Sequence, residues 1–329
     1  MDRLDKRRVQ ILAEGVKGRA NAALPQRLRP PKPNLPFPYG APSTPQSVDP
    51  LPTRCQVGAD FETDWARHPV ARMARIGIVE ALMRPAVSLL ARPERLGMDR
   101  LDALAEDEAV IFVANHHSHV DTPLLLTSLP GYYRSTTVVA AAADYFFGNR
   151  VSGAAAALAL NAFPMERSRT TRTSANKAAE LIEDGWSLLI FPEGGRSKDG
   201  WGQPFRAGAS YLAQRCDVPV VPIFISGTDR ILRKGKALPS PAQATVLFGD
   251  PLRSEPDESS RAFVARIESA VEALADESST DWWQARQRAH AGQSPALTGP
   301  EASSWRRQWA RGEAQRFGRR RTERWPYVR

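Results

Sequence analysis

Apolar residues follow two periodicities along this chain. Short continuous runs at Ala109 to Ala114, Trp186 to Phe191, Val218 to Ile225 and Ala244 to Phe248 predict buried strands. Helical spacing fills the intervals. Thr122 and Pro123 form a cap and first turn ahead of Leu124, Leu125 and Leu126. Ser174 to Asp184 puts Ala178, Leu181 and Ile182 on one side and stops at Gly185, and Glu258 to Leu274 aligns Phe263, Val264, Ile267, Val271 and Leu274. Apolar strands alternating with helices predict an α/β fold, a largely parallel central sheet covered by helices on both faces. No internal repeat is found.

Upstream the pattern changes. From Asp64 to Leu90, Met73, Ile76, Val79, Met83, Val87 and Leu90 recur at three- and four-residue spacing, while Arg72, Arg75, Glu80 and Arg84 fall mostly on other faces. One or two amphipathic helices are expected, interrupted at Pro69 and Pro85. Two readings of the stripe stand: it packs on the domain, or it lies in a bilayer surface with its arginines near phosphates. Earlier still, ten prolines between Pro25 and Pro52 describe an extended linker, preceded by a short segment, Asp2 to Ala23, without a clear apolar face. The expected organisation is a proline-rich, disordered region at 1–55, an amphipathic helical segment at 56–100, a catalytic domain at 101–276 and a basic, Trp/Arg-rich tail at 277–329.

Composition narrows the class. A chain of 329 residues, 42% hydrophobic and 25% charged, has material for one substantial core. Cys55 and Cys216 cannot build a disulfide framework, which fits a reducing, intracellular compartment. No run approaches the roughly 18 to 20 apolar residues of a spanning helix, and the start lacks the layout of a secretion signal, so membrane contact is expected to be peripheral. The net charge of +9 is concentrated between Trp305 and Arg329, where nine arginines face only Glu313 and Glu323. With Trp305, Trp309, Phe317, Trp325 and Tyr327 among them, that tail suits an anionic lipid surface, although a solvated tail without a partner has the same composition. No recognition motif supports a nucleic-acid partner.

Candidate chemistry begins with histidine. Three of the five histidines lie in NHHSHVD, Asn115 to Asp121, between an expected strand and an expected helix. A tight loop entering a helix brings a carboxylate at 121 to the imidazole at 116; a carboxylate on one ring nitrogen fixes the tautomer and stabilises the imidazolium formed when the other takes a proton. FPEGGRS, Phe191 to Ser197, ends another strand. Its glycines, Gly194 and Gly195, permit close backbone approach and unusual dihedrals, so that amides face an anion, with Arg196 adding a charge-assisted contact; a plain glycine turn is the simpler account.

NHHSHVD resembles the first motif, NHxSxxD, of the glycerolipid acyltransferase family that includes 1-acylglycerol-3-phosphate acyltransferases, with Asn115, His116, Ser118 and Asp121 at the specified positions. FPMERSR is similar to the second block, with Arg167 in the matching place. FPEGGRS is similar to FPEGTRS and is followed by Phe205, Arg206 and Gly208. VPVVPIFISG is similar to the fourth block, with Pro222 matching. The blocks fall in family order across roughly residues 105 to 250. Gly195 stands where the family usually has threonine, and AAAADYFF, Ala140 to Phe147, stands where relatives commonly carry a lysine.

The resemblance implies an acyltransferase with His116 and Asp121 as its catalytic pair. It implies Arg167, Glu193, Gly194 and Arg196 at the phosphate-bearing acceptor, with Glu193 bonding a hydroxyl or orienting Arg196, and Asn115, Ser118 and Pro222 in support. The expected co-substrate is acyl-CoA or acyl carrier protein, with no other cofactor, and the expected acceptor is a lysophospholipid or a glycerol-phosphate compound used in phospholipid biosynthesis. The expected location is cytoplasmic, peripheral on the inner face of the cell membrane. Two other classes are weighed. HSHVD, His117 to Asp121, has the spacing of an HxHxD metal site in hydrolases, but Thr122 stands where that pattern continues with histidine and His290 is the only histidine downstream. A catalytically inactive membrane adaptor is the other, against which the intact His116 and Asp121 stand.

Overall fold

The computed structural model describes residues 58, 60–105, 108–166, 172–197, 200–232, 238–299, 306–307 and 309–310. The proline-rich segment, Arg167 and the tail from Trp305, apart from the last four of those residues, lie outside this description.

The sheet has seven strands: β1 (Glu94–Leu96), β2 (Ile111–Ala114), β3 (Thr137–Ala142), β4 (Ala162–Met165), β5 (Ser187–Ile190), β6 (Val220–Ser226) and β7 (Thr245–Phe248). They lie in the order β1-β7-β6-β2-β5-β3-β4. Every neighbouring pair is parallel except β6 and β7. Strand β2 is central, with Ile111 opposite Val220 of β6 and Leu188 of β5. A strand flanked on both edges and covered on both faces must be apolar throughout, which is why IFVA reads as an uninterrupted run.

Alternation along β2 separates two cores. Phe112 and Ala114 pack with Leu124 and Leu125 of α3 (Asp121–Ser128) and Ala156 of α6 (Arg150–Leu160). Ile111 and Val113 pack with Leu181 of α7 (Arg172–Glu183), Leu212 of α8 (Gly208–Cys216) and Ile267 of α10 (Ser260–Ser279). Short helices α4 (Gly131–Thr136), α5 (Ala143–Phe146) and α9 (Thr228–Ile231) complete the connections. Helix α10 starts where the Ser259 side chain accepts from the Ala262 N–H, and α11 (Trp282–His290) packs against it.

Two elements fall across the expected boundaries: β1 belongs to the sheet although it precedes residue 101, and α11 belongs to the folded body although it follows residue 276. Strands β3 and β4 carry no strong strand signal. TVVAAA is half alanine, the best helix former, and AFPM contains Pro164, which has no N–H to donate and is accommodated because β4 is an edge strand.

The amphipathic segment forms α1 (Pro69–Ile78), a π-helical turn (Val79–Met83) and α2 (Arg84–Ala91). Pro85 lacks the N–H that an α-helix would direct at residue 81; the wider turn, in which the Arg84 N–H reaches Val79 O, spares the ladder that bond. The expected single stripe divides. Val79, Met83, Val87 and Leu90 turn to the core, whereas Met73 and Ile76 join Val70, Leu82 and Leu89 on an outer face where each is 52–74% exposed. Arg75, expected away from the core, is buried. Its guanidinium donates to the Ala66, Ala157 and Leu158 carbonyls, satisfying the C-terminal end of α6 and fastening α1 to it. Burial, followed by the nearby Arg67 and Arg72 charges, lowers its pKa to about 10.

Arg75→Met keeps the aliphatic stem and removes those bonds. A loss of about 1–3 kcal/mol in denaturant unfolding is expected, offset in part by relief of a buried charge, together with early proteolysis between Trp65 and Val79.

Candidate active site

Strand β2 ends at Ala114, but the pairing continues through a side chain. The Asn115 amide donates to Ile225 O (2.9 Å) and its Oδ1 accepts from the Ile225 N–H (2.7 Å), so a buried amide group stands in for one more residue of ladder against β6. The backbone is thereby released into the 116–120 loop without an unpaired strand end. Ser118 ties the loop to the β6 side by donating from Oγ to Leu232 O (3.2 Å).

Asp121 opens α3 and is fully buried. The sequence places the cap at Thr122; the helix starts two residues earlier, with Val120 as its cap, and its first carboxylate folds back on the loop. Its Oδ2 accepts from the His117 N–H (2.7 Å) and the Ser118 N–H (2.8 Å), and lies 2.9 Å from His116 Nδ1. An oxygen already holding two N–H donors is an acceptor toward the ring, so the imidazole proton resides on Nδ1 and the lone pair on Nε2. The positive end of α3 favours the same anion. Phe191 stacks on the other side of the ring, centroids 4.2 Å apart and planes 21° from parallel. Side chain and stack together fix both the tilt and the rotation of His116.

The turn after β5 supplies the next layer. Glu193 is 1% exposed, and both its oxygens are occupied by backbone: Oε1 accepts from the His116 N–H (2.8 Å) and Oε2 from the Gln203 N–H (3.0 Å). The Ser197 N–H returns to His116 O (3.0 Å). The expectation that Glu193 bonds an acceptor hydroxyl or orients Arg196 is therefore corrected, because the carboxyl is buried off the cavity lining with each oxygen turned to a backbone N–H, and it holds three loops together. Burial raises its carboxyl to about 7, the two amide bonds oppose the rise, and Asp121 and Glu268 add to it. Gly194 and Gly195 also differ. Gly194 has φ +70, which favours glycine, and a Cβ there would sit 2.8 Å from the Arg206 guanidinium carbon and displace that side chain. Gly195 has ordinary φ and open space around it, so the departure from threonine there carries no steric demand.

A cavity of about 260 Å³ opens beside His116. Val139, Leu160, Met165, Ile190 and Leu212 give it apolar walls; His116, Gly194, Arg196 and Arg206 are among its polar lining. Among the described residues the Arg196 guanidinium makes no ion pair. Asn115, Ser118 and Glu193 act behind the lining rather than on it. Pro222 lies farther off, on β6, where it meets Gly249 and Leu274 beneath α10. Arg167 lies outside the described residues. Phe191 and Arg206 belong to the site without having been singled out for it; the aromatic residue that opens FPEGGRS was the available signal for the first. His119 stacks on Tyr145 (5.0 Å), and among the described residues no three His, Cys, Asp or Glu side chains come together as metal ligands would.

Residues 95–226 match the family model described as Acyltransferase. The chain is 32% identical over 157 residues to 1-acyl-sn-glycerol-3-phosphate acyltransferase BAT2, chloroplastic, of Brassica napus, covering 47% of this chain and 41% of that one. It is 29% identical over 153 residues to a 1-acyl-sn-glycerol-3-phosphate acyltransferase of Cocos nucifera, covering 44% and 46%. The match thus spans less than half the length of these relatives. Among solved structures, the 1-acyl-sn-glycerophosphate acyltransferase PlsC of Thermotoga maritima is similar with TM-score 0.49 and 23% identity over 65% of this chain and 83% of that one. The loop that joins His116 to Asp121 and the turn that braces it both lie inside the matched segment, and within that segment the chain resembles the glycerolipid acyltransferases.

Proposed function

We propose that the protein transfers a fatty acyl group from an acyl thioester, acyl-CoA or acyl carrier protein, to the hydroxyl of a lysophosphatidic-acid-like or glycerol-phosphate acceptor. The observation that carries this reading is a histidine oriented by a buried carboxylate on the lining of an apolar cavity whose other polar groups include two arginines. His116 Nε2 takes the acceptor proton as the acceptor oxygen bonds to the thioester carbonyl carbon and the carbonyl electrons move onto oxygen. The tetrahedral adduct collapses with cleavage of the carbon–sulfur bond, and the imidazolium returns the proton to the departing thiolate. Ester and free thiol result, and no covalent enzyme intermediate is needed. Asp121 stabilises the imidazolium through Nδ1. Arg196, with the Gly194 turn and Arg167, receives the acceptor phosphate, and Arg206 adds a second cation on the same lining. Alkyl carbons of the acyl chain suit the apolar walls.

The outer face of α1, the π-helical turn and α2 supports a peripheral membrane placement; the inner face of the cell membrane is the side proposed. Val70, Met73, Ile76, Leu82 and Leu89 leave a helical face without protein cover among the described residues, the property of a helix lying in the interfacial plane. No helix among the described residues is long and apolar enough to cross a bilayer.

Purified protein given palmitoyl-CoA and a panel of acceptors (glycerol 3-phosphate, lysophosphatidic acid, other lysophospholipids) is expected to release free thiol. His116→Ala lowers the rate by about two to four orders of magnitude, with Asp121→Asn also severely impaired. Turnover by both variants at the parental rate would exclude the mechanism, and silence of the parent with every pair would exclude the activity.

Glu193 generates a stability signature. Its folded pKa, raised from 4.5 to about 7, means that the native state retains a proton which the unfolded state has released. Stability contributed by this group therefore falls as pH rises from about 4.5 through about 7, with a slope of at most about 1.4 kcal/mol per pH unit. Unfolding of Glu193→Gln, compared with the parent across pH 4.5 to 8, is expected to lack that component; parallel curves refute the assignment.

For the membrane face, Met73→Glu combined with Leu82→Glu is expected to reduce sedimentation with anionic vesicles while leaving the unfolding midpoint nearly unchanged. Deleting Trp305 to Arg329 reduces the salt-sensitive part of the same binding. Unaltered sedimentation of the double variant removes the helical face from the membrane contact.

A further inference from the structure

The C-terminal end of the described chain reaches the site from outside the family segment. Beyond α11 the chain returns over the loop that follows FPEGGRS. The Gly202 N–H donates to Leu297 O (2.9 Å), and the Leu297 N–H donates to Glu272 Oε1 on α10 (3.1 Å). One turn earlier on α10, Glu268 accepts from the Phe205 N–H. Leu297 and Phe205 share the apolar cluster of Phe224, Leu247, Val271 and Leu274.

Trp201 is held more closely still. Gly299, at φ +69, lies against its indole, and a Cβ at that position would come within 2.3 Å of the ring. The indole N–H donates to Arg307 O (2.9 Å), and the Arg307 guanidinium donates to Thr298 O (3.0 Å). Residues 297–299 and Arg307 thus enclose one side of the 201–202 loop.

The next residue is Gln203, whose N–H occupies Glu193 Oε2, while Oε1 of the same carboxyl holds the His116 N–H. From strap to imidazole the path is Leu297, Gly202, Gln203, Glu193, His116, each step a backbone connection or a hydrogen bond. We infer that residues 297–299, together with Arg307, form a positioning strap for the active site, with Trp201 and Gly299 as its positioning residues, acting through Gln203 and Glu193 on the loop that carries His116. The strap touches no reacting atom. Its effect is on the placement of His116 relative to the cavity, where a displacement of about 1 Å costs about 10²-fold in rate. The functional half of this inference rests on the acyl-transfer reading; the structural half does not.

The test uses the full-length protein and two readouts. Gly299→Ala drives a methyl into the indole, Trp201→Ala removes the ring, and Trp201→Phe keeps a ring but loses the bond to Arg307 O. Arg288→Ala is the control: it unpairs the buried Asp276 between α10 and α11 and touches none of the relay. Hydrogen exchange of the peptides covering 115–121 and 201–203 is expected to accelerate by about tenfold or more in Gly299→Ala and Trp201→Ala, less in Trp201→Phe, and not selectively in Arg288→Ala. Thiol release from palmitoyl-CoA is expected to show kcat reduced by about 10- to 100-fold in the two severe variants with KM for the donor within about twofold, and a partial loss in Trp201→Phe. Faster exchange at 201–203 with 115–121 unaltered would overturn the relay, as would the same selective change in Arg288→Ala. Should the severe variants fail to fold, Trp201→Phe decides by the same exchange criterion. A parent that releases no thiol refutes the acyl-transfer reading alone, and exchange then decides whether the strap positions the loop.

Discussion

One oxygen organises the site. Asp121 Oδ2 gathers the His116 ring nitrogen and the N–H groups of His117 and Ser118, so a single acceptor turns three consecutive residues around a point. Two backbone donors compress the loop, the third donor belongs to the base, and the helix that starts at the same residue supplies a favourable field. A freely rotating carboxylate would orient an imidazole poorly. This one is held by the loop whose histidine it holds, and the backbone geometry and the tautomer are settled by the same contacts.

That arrangement depends on the sheet behind it. The His116 loop leaves the centre of a seven-stranded sheet, where β2 is bounded by β5 and β6 and both faces are packed. Asn115 extends the pairing to β6, Glu193 joins the turn after β5, and Phe191 presents its ring at the end of the same strand. These three contacts thus originate from the strands on either side of β2 or from the turn that follows one of them. The parallel arrangement puts the ends of β2, β5 and β3 on one edge, where a cavity can be lined by several loops at once.

Legibility in the sequence divides along physical lines. Strands β2, β5, β6 and β7 are readable because burial on both faces leaves only apolar residues. β3 is not, because alanine fits a crowded strand equally well as a helix, and β1 is three residues long with an exposed Glu94. The proximity of His116 to Asp121 follows from their spacing at a strand-to-helix turn. The position of Glu193 does not, because its partners are main-chain amides at residues 116 and 203, and backbone donors have no sequence signature. Arg75 illustrates the same limit: a helical wheel assigns arginine to water, but three carbonyls at the end of α6 and a neighbouring turn receive it. The exposed face of α1 and α2 is hidden for the complementary reason. Periodicity identifies which residues share a face but not what lies opposite it.

Electrostatic cost distinguishes the site from a stabilising network. Asp121 Oδ1 is buried without a hydrogen-bond partner among the described residues, while Oδ2 carries every donor, and the neighbouring Glu193 carboxyl is raised to about 7 mainly by burial. Two carboxyl groups placed this close in a dry interior disfavour one another's charge, and a chain selected only for stability would fill the space with hydrocarbon. Catalysis needs the opposite. In the proposed acyl transfer the imidazole gains a positive charge, and a carboxylate lacking full compensation by protein donors retains more of its field for that moment. Glu193 fixes the loop through two backbone donors. The two acids divide by where each sits: Asp121, at the head of a helix, bonds to the imidazole, and Glu193, beneath a turn, bonds to backbone and has its pKa raised mainly by burial.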